Sequence, residues 1–315
     1  MISYILRRFV SAVIVVIGIM LVTFTMLHII APSPARAVLG IKASPAAIAG
    51  FNHEHGYDRP LARQFLTYMN QTVHFNFGYS YKLNQSVTDL FKENAGRSAL
   101  LSGVSVFLAV LIAVPMGIYQ AVKRNSISDY LLTSVSFTLY SMPIFFISLI
   151  LIDIFALHLH WFPFEASQST TVIGVLKQPR SMVLPVVSLV ALSVAGYSRY
   201  MRSSALDNLA QDYIKVARAK GLSERSVLFR HLVRNSSLPM VTLIGLSIPD
   251  LLAGNLITEQ VFNYPGLGLL FFNSLGTEDY PILLAYTLVG GILVVLGNLI
   301  ADIALTFTDP RIRLT

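Results

Sequence analysis

Three aspartates lie in or near long apolar runs and are the first candidates for chemistry: Asp153, Asp250 and Asp302. An ionisable group inside a bilayer costs roughly 2.5 kcal/mol even on the most lenient scales, so such groups often mark a proton relay or a solute path. Asp250 follows Pro249, whose missing N–H leaves backbone groups that a carboxyl can pair with. We therefore place a structural hydrogen-bonding role above a translocation-path role, for which Asp250 and Asp153 are the candidates.

Other kinds of chemistry find little support in the sequence. No glycine is followed by lysine, so the phosphate-binding loop G-x-x-x-x-G-K-[ST] is absent and the chain is not expected to hydrolyse ATP. The sequence has no cysteine, which excludes disulfides and thiolate metal sites. The run His53-Glu54-His55 has metal-ligand types but no further ligand at a readable spacing, so a solvated loop is the better interpretation. We expect no catalytic residue and no metal site.

The segments that carry the three aspartates are apolar. The 315 residues are 54% hydrophobic and only 12% charged, with a mean hydropathy of +0.65, whereas soluble domains are about 25% charged. Six runs are long enough to cross a bilayer, namely residues 9–31, 98–122, 130–157, 182–198, 238–257 and 281–301. The sequence therefore predicts an all-α polytopic membrane protein with six transmembrane helices.

The charges predict which loops face the cytoplasm. Residues 1–8, 122–130, 199–237 and 308–315 hold 14 of the 23 basic side chains but only 5 of the 16 acidic ones. The positive-inside rule then places both termini and the loop 199–237 in the cytoplasm. This split explains the net charge of +7 as membrane topology, so we expect no nucleic-acid partner.

The predicted spans and loops divide the chain into four parts. The run 9–31 is too long for the core of a signal peptide, so we expect a retained anchor. The parts are the cytoplasmic N-terminus and first span at 1–31, an extracytoplasmic segment at 32–97, a five-span transmembrane core at 98–307 that includes the cytoplasmic loop 199–237, and a cytoplasmic tail at 308–315.

The most distinctive cytoplasmic stretch is residues 212–239, which is strongly basic. Its first part has the pattern of a short amphipathic helix with small residues, ending at a glycine that can take a left-handed cap. Small side chains allow another surface to approach closely. The residues of this first part that we single out are Asp212, Tyr213, Ala217, Arg218, Ala219, Lys220 and Gly221.

This stretch resembles the cytoplasmic coupling loop of permease subunits in binding-protein-dependent ABC importers, specifically the first (B-type) subunit of the dipeptide/oligopeptide/nickel family. The resemblance implies that the seven residues just named couple the loop to the ATPase subunits. Further elements resemble that family in the same order: G-Y-D-R-P-L at 56–61, F-G-Y-S at 77–80, E-Q-V-F-N-Y-P-G-L-G at 259–268 and D-P-R-I-R at 309–313. The sequence departs from the family at Asn76, which replaces an acidic residue. It also has Lys215 and Val216 where the broader importer signature has Glu and Ala.

The resemblance implies a type I ABC importer permease fold and one half of a pore that imports peptides by alternating access in a bacterial inner (plasma) membrane. It implies a homologous second permease subunit, two ATP-binding subunits and an extracytoplasmic solute-binding protein as partners, besides the peptide and the lipid bilayer. ATP and Mg would bind the ATPase subunits, and this chain would carry no cofactor. Peptide permeases of this kind need no proton relay, which favours the structural interpretation of Asp250.

Other functions remain as alternatives. The nickel or glutathione permeases of the same family differ in solute, which the separate binding protein largely sets. An ion-coupled secondary transporter would explain the acids in the spans but not the basic loop, and no inverted repeat is detectable. An intramembrane hydrolase would need a Ser/His or paired-Asp constellation, which the apolar runs lack.

Overall fold

The structure is a computed structural model in which residues 2–30, 33–40, 42–249 and 254–308 are described. The side chains of residues 2–7, 9 and 302–308 are not part of that description. Two predicted features, Asp250 and the D-P-R-I-R run at 309–313, lie outside the described residues. Within them the chain is mostly helical, and its only β-type pairing is an isolated bridge between Tyr79 and Ser86.

The helices follow one another with short connections. The first half of the chain contains α1 (Ile2–Ile30), α2 (Ala35–Leu39), α3 (Pro45–His55), α4 (Leu61–Val73), α5 (Val87–Val122), α6 (Ile127–Ser141) and α7 (Ile144–Leu151), which continues as a π-helix over Ile152–His158. The second half contains α8 (Val172–Leu176), α9 (Pro179–Leu209), α10 (Asp212–Ala219), α11 (Glu224–Ser226), a π-helix over Val227–Leu232, α12 (Val233–Ser236), α13 (Leu238–Leu246), α14 (Leu256–Val261), α15 (Leu267–Gly276) and α16 (Tyr280–Thr308).

Four of these helices are long and apolar enough to cross a membrane: α1, α5, α9 and α16. The pair α6 and α7 passes the same test together and would make a fifth span. The predicted span 238–257 contains α13 and the start of α14, with residues 250–253 outside the described part of the chain. The polytopic helical class is therefore confirmed, while the count of six spans stays a prediction.

The sequence led us to expect one span over residues 130–157. The structure instead divides this run into two helices. The two helices α6 and α7 meet at an angle of 106°. The backbone is extended at Met142 and Pro143, with ψ values of 134° and 141°. Proline has no N–H to donate and disfavours a helical conformation in the residue before it, so α6 ends and a new helix starts in another direction.

The core of the molecule lies between α5 and α9. Leu101 of α5 and Leu184 of α9 are fully or almost fully buried in one cluster with Phe262 and Tyr264, which follow α14. The Tyr264 hydroxyl donates a hydrogen bond of 2.7 Å to the backbone oxygen of Arg97. The segment after α14 is thereby fixed against the start of the apolar part of α5.

The segment 32–97 packs against the ends of two predicted spans. Met20 and Phe24 of α1 form a buried cluster with Leu284 of α16, and Phe65 of α4 packs on this cluster. His28, near the end of the apolar helix α1, bonds a neighbouring helix. Its Nε2 lies 3.0 Å from Oε1 of Gln64 in α4. The segment is therefore folded onto the membrane-spanning helices.

Candidate coupling segment and acids near the spans

The short helix α10 has two different faces. Ile214 and Ala217 are buried, whereas Lys215, Val216 and Ala219 are exposed. The buried face belongs to a cluster formed by the ends of α5 and α9 and by the returning chain, whose other buried members are Ala121, Ala205, Val227 and Leu232. The helix is thus packed onto two span helices by one face and presents the other to its surroundings.

The end of α10 is a glycine cap of the expected kind. Gly221 has a φ of +77°, in the left-handed region. Its N–H donates to the backbone oxygen of Arg218 at 2.9 Å, and the N–H of Leu222 donates to that of Ala217 at 3.4 Å. These two bonds form the Schellman motif, in which glycine is favoured because it has no Cβ to clash at positive φ.

Ion pairs on the exposed side of the segment are local. Lys215 Nζ lies 2.8 Å from Asp212 Oδ1, and Arg218 Nε lies 2.8 Å from Glu224 Oε1. The Lys215 ammonium lowers the pKa of Asp212 through this hydrogen bond. Both pairs are solvent-exposed, where water and salt screen such contacts. They shape the surface of the segment more than they stabilise it.

The seven predicted coupling residues therefore divide by position. Ala217 faces the interior of this chain, and Tyr213 is half-buried and donates a hydrogen bond of 2.7 Å to Asn208 Oδ1 at the end of α9. Asp212, Arg218, Ala219, Lys220 and Gly221 are exposed. Contact with a partner remains a prediction for the exposed members, whereas the small side chain of Ala217 allows α10 to lie close to its own spans.

A buried ion pair near this segment was missed at the level of sequence. Arg202 of α9 donates two hydrogen bonds to Asp129 of α6, from Nε at 2.9 Å and from Nη2 at 2.8 Å. The Asp129 side chain is only 3% exposed. Both residues lie in stretches that were treated only as summed charge, and nothing in their spacing, 73 residues apart, shows that they meet.

A second contact strengthens the same helix pair. The guanidinium carbon of Arg199 lies 4.6 Å from the ring centre of Phe137 and 4.9 Å from that of Tyr140, both on α6. Such cation–π contacts contribute about 0.5–1 kcal/mol at exposed sites. Arg199 and Arg202 both lie beyond the predicted span 182–198, in the part of α9 that continues to Leu209, and both bind α6.

Glu259 is a buried carboxylate whose partners explain the P-G-L-G motif. Its Oε1 accepts from Ser98 Oγ at 2.7 Å, and its Oε2 accepts from the backbone N–H of Leu269 at 3.1 Å. A carboxylate in this position caps the start of α15, where backbone N–H groups lack partners. A Cβ on Gly266 or Gly268 would fall against the carboxylate, so the two glycines leave the space that it occupies.

Asp279 has a comparable role in the F-G-Y-S motif. Its Oδ2 accepts a hydrogen bond from Ser80 Oγ and a weaker one of 3.4 Å from the N–H of Lys82. Burial raises the pKa of Asp279, while these hydrogen bonds act in the opposite direction. The carboxylate therefore joins the loop after α4 to the start of α16.

The remaining sequence candidates are placed as follows. Asp153 lies in the π-helix after α7 with its side chain 59% exposed, and its Oδ1 is 3.5 Å from Nδ1 of His158. Asp302 lies in α16, but its side chain is outside the described part. His53 Nδ1 lies 2.8 Å from Asp58 Oδ2, and the His55 ring stacks on Phe51 at 4.2 Å. No group of three or more metal-ligating side chains occurs in the described residues.

Several apolar helices of membrane-spanning length, with a short two-faced helix packed on their ends, define a multi-pass membrane protein. Residues 113–314 match the family described as "Binding-protein-dependent transport system inner membrane component". Residues 1–98 match its N-terminal family, "Binding-prot-dependent transport system membrane comp, N-term". The chain belongs to this family, as its coupling-loop resemblance predicted.

Curated relatives are similar along their whole length. The chain is 37% identical to the oligopeptide transport system permease protein AppB of Bacillus subtilis (strain 168), with 99% of this chain and 100% of the relative covered. It is 33% identical to the dipeptide transport system permease protein DppB of Escherichia coli (strain K12), with 99% of each covered. It is 32% identical to DppB of Alkalihalophilus pseudofirmus, with 99% and 100% covered.

Proposed function

We propose that this chain is a pore-forming permease subunit of an ATP-driven importer of oligopeptides or dipeptides. The observation that carries the proposal is the coupling segment, in which α10 is packed on α5 and α9 by Ile214 and Ala217 while its other face is free. The names of relatives that match over the full chain supply the solute class.

The other components of the importer are part of the proposal. The chain lacks a phosphate-binding loop, so two partner ATPase subunits would bind ATP and Mg and would dock on the exposed face of α10. A homologous second permease would complete the pore, and an extracytoplasmic binding protein would deliver the peptide. The positive-inside rule supports a cytoplasmic position for α10 and both termini, and the pore would lie in the inner membrane of a bacterium.

The geometry supports a mechanical role for the segment. A displacement of α10 is transmitted directly to α5 and α9, because Ile214 and Ala217 are close-packed among residues of both helices and a packed core resists compression. Arg202 transmits the movement of α9 to α6 through Asp129. Closure of the ATPase dimer would thus move three span helices together, as alternating access requires.

The test is uptake by vesicles that contain the complete complex and its binding protein. We expect labelled dipeptides or oligopeptides to accumulate with ATP, but neither with a non-hydrolysable analogue nor when this chain is left out. Uptake that persists without ATP and stops with a proton ionophore would instead establish an ion-coupled transporter. ATP-dependent uptake of nickel or glutathione without any uptake of peptides would place the chain in another branch of the family.

A further inference from the structure

A cavity of about 720 Å³ opens at the end of α9 opposite to the coupling segment. One wall is the turn that follows the π-helix after α7 and includes Trp161 and Phe164. The other wall is the start of α9, which includes Arg180, together with Lys177, which lies two residues before the helix. The cavity takes no part in the coupling segment or in the contacts of the candidate acids.

The depth of this cavity follows from the length of α9. The helix has 31 residues, which at 1.5 Å per residue is about 46 Å. A bilayer with its headgroups is about 40–45 Å thick. Since α10 follows the other end of α9, the cavity lies at the level of the opposite headgroups. Trp161 and Phe164 are 53% and 54% exposed there, as in the aromatic belts of membrane proteins.

The charge of the cavity is positive and uncompensated. The Lys177 ammonium has no hydrogen-bond or ion-pair partner in the described part of the chain, and the Arg180 guanidinium donates only from Nη2, to the backbone oxygen of Trp161 at 2.7 Å. Among the described residues no acidic side chain lines the cavity, although Glu165 follows Phe164 in the sequence. Basic residues are disfavoured at this end of a span, so two of them beside exposed aromatic rings require a local reason.

We propose that this cavity binds an anionic phospholipid, with the lipid phosphate between Lys177 and Arg180 and the lipid chains against Trp161 and Phe164. The hydrogen bond from Arg180 to the Trp161 carbonyl holds the guanidinium at the cavity mouth, beside the ring that would contact the lipid. A phosphodiester is the complementary anion that a membrane supplies at this depth. The proposal depends on the span assigned to α9 and not on the solute that the protein transports.

The chain contains its own probe, since Trp161 is its only tryptophan. The full chain is reconstituted into phosphatidylcholine nanodiscs that contain the same fraction of either brominated phosphatidylglycerol or brominated phosphatidylcholine, and Trp161 fluorescence is measured. We expect stronger quenching by the anionic lipid. Lys177→Gln should weaken that preference about fivefold, the effect of one basic residue near an anionic membrane. Lys177→Arg should keep it.

A matched control and an added anion make the result decisive. Lys42→Gln removes another exposed lysine that does not line the cavity, and it should leave quenching unchanged. Equal quenching by the two brominated lipids would mean that Trp161 contacts lipids without regard to their charge, as in an aromatic belt, and would overturn the proposal. Absence of quenching by either lipid would mean that protein covers the cavity. Reversal of quenching by inorganic phosphate, at constant ionic strength, would show that the cavity binds a free anion instead of a lipid.

Discussion

At the scale of single residues, the two acids that matter most to the fold are Glu259 and Asp279, which lie in connections outside the candidate spans. Each carboxylate is buried and accepts hydrogen bonds from a serine far away in the sequence, Ser98 and Ser80 respectively. Each also accepts from backbone N–H groups. Both residues therefore join separate elements, and neither needs a role in transport to explain its burial.

We predict that Glu259→Ala destabilises the protein strongly. It would leave Ser98 Oγ and the N–H of Leu269 without their acceptor, and each buried unsatisfied group costs about 1–3 kcal/mol. The midpoint of thermal unfolding in detergent should fall by several degrees. Glu54→Ala, at an exposed position in α3, is the control and should change the midpoint little. An unchanged midpoint for Glu259→Ala would refute the capping role.

A second prediction at this scale concerns Gly221. Gly221→Val forces a β-branched residue into positive φ, at a cost of about 1–3 kcal/mol, and should distort the end of α10 while the spans remain inserted. We expect loss of ATP-driven uptake, with the ATPase subunits either lost or uncoupled. Lys215→Ala removes an exposed, screened charge and should do less. Uptake together with retention of ATPase subunits in pull-downs measures both.

The contrary outcome is equally clear. If Gly221→Val transports peptide and retains the partner subunits as well as the parent does, residues 212–221 form only a basic loop. A large side chain in place of Ala217 should act in a different way from Gly221→Val. Ala217 is buried against the spans of its own chain, so a larger side chain would overpack that contact. That variant should lower thermal stability as well as uptake.

At the scale of elements, α6 and α9 are joined by the two arginines at the end of α9. Arg202 forms a two-bonded ion pair with buried Asp129, and Arg199 lies over two aromatic rings of α6. The extended backbone at Met142 and Pro143 then turns the chain into α7, whose Ile144 and Leu151 pack on the core cluster that contains Leu184 of α9. Both halves of this bent pair thus contact the helix that carries the coupling segment, the first half through the two arginines and the second half through the apolar core.

We predict strong coupling between the two members of this ion pair. Arg202→Gln leaves a buried carboxylate unpaired, which typically costs about 3–5 kcal/mol, and Asp129→Asn should be less severe because it removes the buried charge. The double variant should be more stable than the sum of the two single effects predicts. Thermal unfolding of all four proteins gives the interaction energy, and additive effects would contradict the prediction.

An exposed pair provides the comparison. Lys92 Nζ and Asp89 Oδ1 are 3.8 Å apart in α5, with both side chains more than half exposed. Lys92→Gln should change stability by less than about 1 kcal/mol, as is usual for exposed pairs. A similar loss for Lys92→Gln and Arg202→Gln would mean that burial of Asp129 contributes nothing.

At the scale of the whole molecule, the predicted topology can be tested with single cysteines because the chain has none. Ser44 and Ser223 are both exposed residues that begin helices, α3 and α11 respectively. The charge split places them on opposite sides of the membrane. Ser44→Cys and Ser223→Cys should therefore react with an impermeant thiol reagent from opposite faces, and labelling from the same face would sink the proposed orientation.

Much of this architecture was predictable from composition and local pattern. Long apolar runs predicted α1, α5 and α16, and the glycine pattern predicted the left-handed end of α10 at Gly221. These features depend on bilayer thickness and on the freedom of one backbone dihedral, both of which are local properties. Family membership also followed from motifs in a fixed order.

The features that sequence reasoning missed depend on contacts across long stretches of chain. Ser98 and Glu259 are 161 residues apart, and Asp129 and Arg202 are 73 apart. No periodicity links such positions, so their charges had been assigned to loops or to topology. The direction of the chain after Pro143 is likewise a matter of packing, because proline ends a helix but does not choose the angle at which the next one starts.

The proline within α9 affects how far the end of this helix can move. Pro185 cannot donate its intrahelical hydrogen bond, so the helix is most easily tilted there, six residues after Pro179. The arm from Pro185 to Leu209 is about 36 Å long at 1.5 Å per residue. A swing of about 5° around that pivot moves the far end by about 3 Å, close to the contact distance of about 3.5–4 Å between two packed carbon atoms. A small tilt near one membrane surface thus becomes a step of atomic size at the other.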